Sequence, residues 1–115
     1  LFVTRAKLED NNRLKKRKDF TKTYKKGRSV NGKSIILCYR RTTKPCFRIG
    51  FTVSKKVGNA VVRNKVRRRL KEIVRLNQEC FANNYDYIFI ARSIAKKTSY
   101  LDLEKEMLSL VKRVK

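Results

Sequence analysis

The chain has 115 residues and 13.6 kDa, room for one domain with a modest core, and 41% of its residues are hydrophobic. It carries 32 Lys/Arg against nine Asp/Glu, a formal charge of +23, and no histidine, which removes His-activated nucleophiles, His-pair ribonuclease chemistry and His-based metal sites. No apolar run approaches the ~18 residues of a transmembrane helix. The three cysteines, Cys38, Cys46 and Cys80, form no CxxC pair and fit neither a disulfide framework nor a structural zinc site.

Reduced thiols in a cytoplasmic protein are the simplest expectation, and the N-terminus shows no secretory pattern. The charge is uneven: 23 of the Lys/Arg and only three acids fall in residues 1–70. That asymmetry points to one half facing a polyanion and one half supporting it. A membrane surface fits poorly, because the basic segments lack the long apolar face of an interfacial helix.

Residues 1–12 lack periodicity and read as a flexible extension, leaving 13–115 as the folded domain. The stretch RLKKRKDFTKTYKKG from Arg13 predicts a helix that Gly27 ends, with Phe20 and Tyr24 at i,i+4 on one face. Core packing and partial exposure are equally good readings of that pair, and the Lys, Arg and Thr around it favour exposure. A short apolar strand follows over 35–39, and Pro45 marks a turn. Phe47, Ile49, Phe51 and Val53 then alternate with Arg48, Gly50, Thr52 and Ser54, a half-buried strand whose second face is small enough to floor a cleft.

From Ser54 to Glu72 the chain reads SKKVGNAVVRNKVRRRLKE. The turn through Lys55, Lys56, Gly58 and Asn59 offers backbone amides and a helix N-terminus, both suited to phosphate, with Asn59 as N-cap. In the helix that follows, Val62, Val66, Leu70, Ile73 and Val74 form the apolar stripe. Arg63, Arg67 and Lys71 line the neighbouring face beside Asn64, Arg68 and Arg75. A charge run is usually only a solvated face, but here almost no acids are interspersed to form i,i+4 pairs. Guanidiniums and an amide bond phosphates, sugars and base edges, so nucleic acid is the first reading.

Tyr85 to Ala91 (YDYIFIA) is apolar on both faces, as in a central strand, and a final helix begins after Thr98 or Ser99. Asp102, Glu104 and Glu106 are expected to complement the dipole at its start. No set of acids reads as a two-metal cluster. The fold class is therefore α+β, a single small domain in the order α-β-β-α-β-α, with a central mixed sheet packed by helices. The unit formed by 47–53, 59–77 and 85–91 is a βαβ crossover, which general rules make right-handed.

The run Lys55-Lys56-x-Gly58-Asn59-Ala60-Val61-x-Arg63-Asn64 and the basic helix behind it resemble the signature of the bacterial ribonuclease P protein component. Arg13-Leu14-Lys15-Lys16 with Asp19-Phe20, Lys26-Gly27 before Ser29-Val30, Arg48-x-Gly50, and Ile90-Ala91-Arg92 extend the resemblance over most of the chain. The resemblance implies a non-catalytic subunit whose partner, the ribonuclease P RNA, removes the 5′ leader of precursor tRNA by Mg²⁺-dependent hydrolysis. The Mg²⁺ would be held mainly by RNA. It implies a leader cleft with Phe20 and Tyr24, flanked by Arg48 and Ser54. Lys55, Lys56, Gly58, Asn59, Arg63, Asn64, Arg67, Arg68 and Lys71 would contact RNA. It also implies a left-handed crossover, against the general rule.

Three positions depart from the family pattern. Cys38 stands where a strand aromatic is common, Lys71 where arginine is, and Arg67 where lysine is. A ribosomal or other structural RNA-binding protein shares the size and charge but not the long motif. A DNA-binding helix-turn-helix protein is disfavoured by strands on both sides of the basic helix, so neither DNA nor a membrane is expected as partner. A self-sufficient nuclease fits least.

Overall fold

The computed structural model describes residues 12–114, so the extension read over 1–12 lies outside the described residues except for Asn12, as does Lys115. In chain order the elements are α1 (Arg17–Lys26), β1 (Arg28–Asn31), β2 (Ile35–Arg41), β3 (Arg48–Thr52), α2 (Ala60–Leu76), β4 (Tyr85–Ala91) and α3 (Tyr100–Lys112). Short 3-10 turns at Gln78–Cys80 and Ser93–Lys97 link the last elements. The sheet order is β1-β2-β4-β3. β1/β2 and β2/β4 are antiparallel and β3/β4 parallel, which makes the sheet mixed. α2 is the connection between the two parallel strands.

The order read from sequence omitted β1. This strand is only four residues long and mostly exposed, with Val30 its single apolar side chain, so it carries no hydrophobic alternation. It exists because it hairpins onto β2, with Val30 opposite Leu37. The Asn31-Gly32 dipeptide at its end is the local signal for such a turn.

The sheet's two faces are separated by side-chain alternation. Ile35, Leu37, Tyr39, Ile49, Tyr87 and Phe89 face the main core with Val66, Leu70, Ile73 and Val74 of α2 and Leu103, Met107, Leu110 and Val111 of α3. Phe81 knits this layer, with its ring edge-on to Tyr87 at 5.1 Å and Phe89 at 6.0 Å, contacts worth about 0.5–1.5 kcal/mol each beyond area burial. Ile88 and Leu14 are buried but stand outside that cluster, on the face α1 covers. Cys38 and Tyr39 divide as the pleat demands, Tyr39 buried in the main core and Cys38 half-buried opposite.

The caps follow the sequence at both long helices. Asn59 accepts from Val62 N at 3.0 Å and Ser99 from Asp102 N at 3.1 Å. The acids of α3 do more than complement a dipole. Glu106 lies two turns in, and its Oε2 accepts from the backbone amides of Ser34 at 2.8 Å and Ile35 at 2.7 Å. It thereby ties α3 to the start of β2. Glu104 accepts from Asn77 Nδ2 at 3.0 Å.

Candidate nucleic-acid interface

β3 is the last strand of the sheet, and its outer edge is partly closed by the residues before α1. Leu14 N donates to Ile49 O at 2.8 Å and Asn12 Nδ2 to Phe47 O at 2.6 Å. Beyond that closure a groove of about 670 Å³ runs along the strand. Leu14, Phe20, Gly50 and Phe51 supply its apolar surface, and Arg67, Arg68 and Lys71 of α2 supply a cationic wall beside the Glu72–Arg75 pair. Arg13 and Lys15 stand at the opposite rim.

Gly50 is what lets α1 approach. A Cβ at that position would lie 2.5 Å from Phe20 Cζ and 3.3 Å from Leu14 Cβ, well inside ordinary contact. The Phe20 ring therefore rests on bare backbone and turns into the groove. Tyr24 lies one turn on, its ring centroid 6.4 Å from that of Phe20. It is 44% exposed, and its hydroxyl is hydrogen-bonded to Thr52 Oγ1 at 2.7 Å. It fixes α1 over the sheet and does not line the groove.

Arg48, placed in the cleft by the sequence reading, is engaged inside the fold. Its Nε donates to Asp86 Oδ1 at 2.8 Å, its Nη2 to Asp86 Oδ2 at 2.7 Å, and its Nη1 to Asp19 Oδ2 at 3.3 Å. Asp86 is fully buried, and Arg40 Nη2 approaches the same carboxylate at 3.5 Å. The hydrogen bonds it donates to Asp86 hold the Arg48 guanidinium above its ordinary pKa. Because Asp19 belongs to α1, this network pins the helix that carries Phe20.

The turn before α2 is built on a buried Val57, whose N–H donates to Ser54 O at 3.0 Å, leaving Ser54, Lys55 and Lys56 exposed. A Cβ at Gly58 would come within 2.8 Å of Val62 Cγ1, so a larger residue would push the turn off the helix. Asn59 is engaged as the cap. Along α2, Asn64, Arg68 and Lys71 are exposed and Arg63 and Arg67 half-buried. Arg67 Nη1 donates to Asn64 Oδ1 at 3.2 Å, which ties Asn64 to a side chain that lines the groove. Arg75 is paired with Glu72 through two bonds at 2.7 and 2.9 Å, and this guanidinium lowers the Glu72 pKa.

The structure thus joins what the sequence reading kept apart. Phe20 shares one groove with Arg67, Arg68 and Lys71, while Arg48 and Ser54 lie outside it. The small face carrying Gly50 does floor the groove, as the sequence reading expected, but sequence reasoning missed Phe51 in its lining, and Asp86 and Asp19 as anchors. An acid at the second position of the apolar run YDYIFIA was the available signal for Asp86, since a buried carboxylate demands a cation nearby.

An aromatic set into a groove beside unneutralised guanidiniums and an amine defines a surface for a flexible, base-bearing polyanion. The ribonuclease P family model matches residues 8–115. The chain is 44% identical over 108 residues to the ribonuclease P protein component of Alkaliphilus metalliredigens, covering 94% of this chain and 97% of that one. It is 44% identical over 101 residues to that of Clostridioides difficile, covering 87% and 89%. The solved RNase P protein of Staphylococcus aureus superposes with a TM-score of 0.81 at 35% identity, over 88% of this chain and 93% of that one. The RNase P protein of Thermotoga maritima superposes with 0.82 at 28% identity, over 90% and 97%. The chain belongs to the ribonuclease P protein family. Members are protein components of a tRNA-processing endoribonuclease, a ribonucleoprotein, so an RNA partner follows from membership.

Proposed function

We propose that the chain binds the RNA subunit of ribonuclease P through the turn at 54–59 and the outer face of α2, and holds the single-stranded 5′ leader of precursor tRNA in the groove. The observation that carries this reading is the meeting of Phe20 with Arg67, Arg68 and Lys71 on one surface. The ring would stack on an unpaired base, worth ~1–3 kcal/mol and tolerant of sequence, while the cations take the phosphates. Lys55, Lys56 and the backbone at Gly58 would meet phosphates of the RNA subunit, joined by Arg63 and Asn64. Tyr24 and Arg48 would act by positioning α1.

Hydrolysis of the leader bond, leaving a 5′-phosphate on the mature tRNA, would be carried by the RNA subunit. What supports this is where the acids are. Asp19 and Asp86 bond Arg48, Glu72 bonds Arg75, and Glu106 bonds backbone amides. Among the described residues no three His, Cys, Asp or Glu side chains come together as a metal-binding set. Those residues fit a catalytic Mg²⁺ poorly, so the ion would sit on RNA, in a cytoplasmic holoenzyme. No described helix is long and apolar enough to cross a membrane.

The test is single-turnover cleavage of a precursor tRNA by a bacterial ribonuclease P RNA at low Mg²⁺, with and without the protein. Strong stimulation that requires the leader is expected. Tight RNA binding without stimulation would return the chain to the structural RNA-binding class.

A further inference from the structure

A second depression, of about 880 Å³, lies on the other side of α1 from the groove. Nine of its twelve described lining residues are Lys or Arg, among them Lys18 and Lys22 of α1, Arg40 and Arg41 at the end of β2, and Lys44 in the loop beyond. The one acid among those residues, Asp19, is bonded by Arg48. Unlike the groove it has no aromatic side chain among its described lining residues, so these offer charge to phosphates and no platform for a base.

The basin is built rather than incidental. Thr42 N donates to Asn84 O at 2.7 Å, and Asn84 Nδ2 donates to Lys44 O, so the loop that carries Lys44 is held against the approach to β4. Asn84 has the positive φ of 70° that this docking requires, a conformation Asn tolerates well. Arg40 is held by Asp86 at the basin wall. Concentrating this many like charges on a fixed frame costs self-repulsion, which a bound polyanion offsets.

Arg13 and Lys15 line both the groove and the basin, so the two surfaces are continuous around the start of α1. We propose that the basin binds the phosphate backbone of the leader upstream of the nucleotides held in the groove, without reading their bases. This rests on the groove being the leader site. It makes affinity a function of leader length as well as leader presence, through a path that turns from an aromatic-bearing channel into a purely electrostatic one.

The experiment uses the assembled ribonucleoprotein and a series of precursor tRNAs whose leaders lengthen upstream, together with mature tRNA. The variant replaces the exposed Lys18, Lys22, Arg41 and Lys44 with alanine. With the parent protein, affinity should keep rising after the groove is filled, and the salt slope should steepen by about 0.7 for each added phosphate contact. In the variant both gains should vanish for long leaders, while the melting temperature stays that of the parent. A length-dependent gain that survives in the variant overturns the proposal. So does a loss of equal size for mature tRNA, or for the RNA subunit alone, which would assign the basin to another RNA. If short-leader precursors bind more tightly than mature tRNA but longer leaders add nothing, the basin fails and the groove stands. If leader and mature forms bind alike, both fail.

Discussion

Replacing Gly50 by alanine isolates the contact on which the groove depends. The new Cβ would sit 2.5 Å from Phe20 Cζ and 2.7 Å from Cε1, so the ring must recede by about 1 Å to regain van der Waals distance. Overpacking of this kind costs about 1–3 kcal/mol. The ring is only half-buried and can yield outward, which favours the lower half of that range. The larger consequence is functional, because a displaced ring no longer stacks in register with the guanidiniums of α2. Losing one stacked base should lower the preference for precursor over mature tRNA by about tenfold, equivalent to ~1.4 kcal/mol. Denaturant unfolding gives the first quantity, and binding of the two tRNA forms to the holoenzyme gives the second. In a Phe20→Ala background the added methyl is relieved of the ring and keeps only the closer contact with Leu14 Cβ at 3.3 Å, so most of the stability cost of Gly50→Ala should disappear, a coupling close in size to the clash. A Gly50→Ala protein that is as stable as the parent and discriminates the two tRNAs equally well would refute the reasoning.

Three further outcomes are expected. Asp86→Ala leaves Arg48 partly buried without its main partner and should destabilise the fold by about 3–5 kcal/mol in denaturant titration, whereas a loss below ~1 kcal/mol would mean the network is dispensable. Arg68→Ala should reduce the log–log salt slope for binding of precursor tRNA to the holoenzyme by about 0.7, and an unchanged slope would show that its guanidinium stays solvated. Burial raises the pKa of the Cys38 thiol, so at a pH just below its ordinary value it presents less thiolate. Alkylation followed by peptide mass mapping should find Cys38 slower than the exposed Cys80, and the reverse order would contradict the burial of β2's second face.

Elements with a strong period are legible in the amino-acid sequence alone. Val66, Leu70, Ile73 and Val74 mark α2, alternation from Phe47 to Val53 marks β3, and the doubly buried run of β4 announces a central strand. β1 is not legible in this way, since it is defined by its partner and has almost no burial of its own. The basic residues of α2 stand out because they crowd into three turns and carry a family motif. Groove composition does not, because its lining comes from three segments, 13–20, 49–51 and 67–75, and periodicity does not report which of them meet. Arg48 shows the limit most clearly. From sequence it is a cation on a cleft-facing strand, and only the register that sets it opposite Asp86 shows that its charge is neutralised within the fold.

The placement of the groove along β3 has a second effect. An exposed strand edge is a template for pairing with another chain. Residues 12–14 cap its first part, and from Phe51 onward it is overlooked by Lys15, Arg67, Arg68 and Lys71. Two copies brought edge to edge would press these cations together, so the charges assigned to RNA also act as gatekeepers against self-association. Neutralising them to weaken RNA binding removes that guard, and such variants will be the ones most prone to aggregate during purification away from RNA.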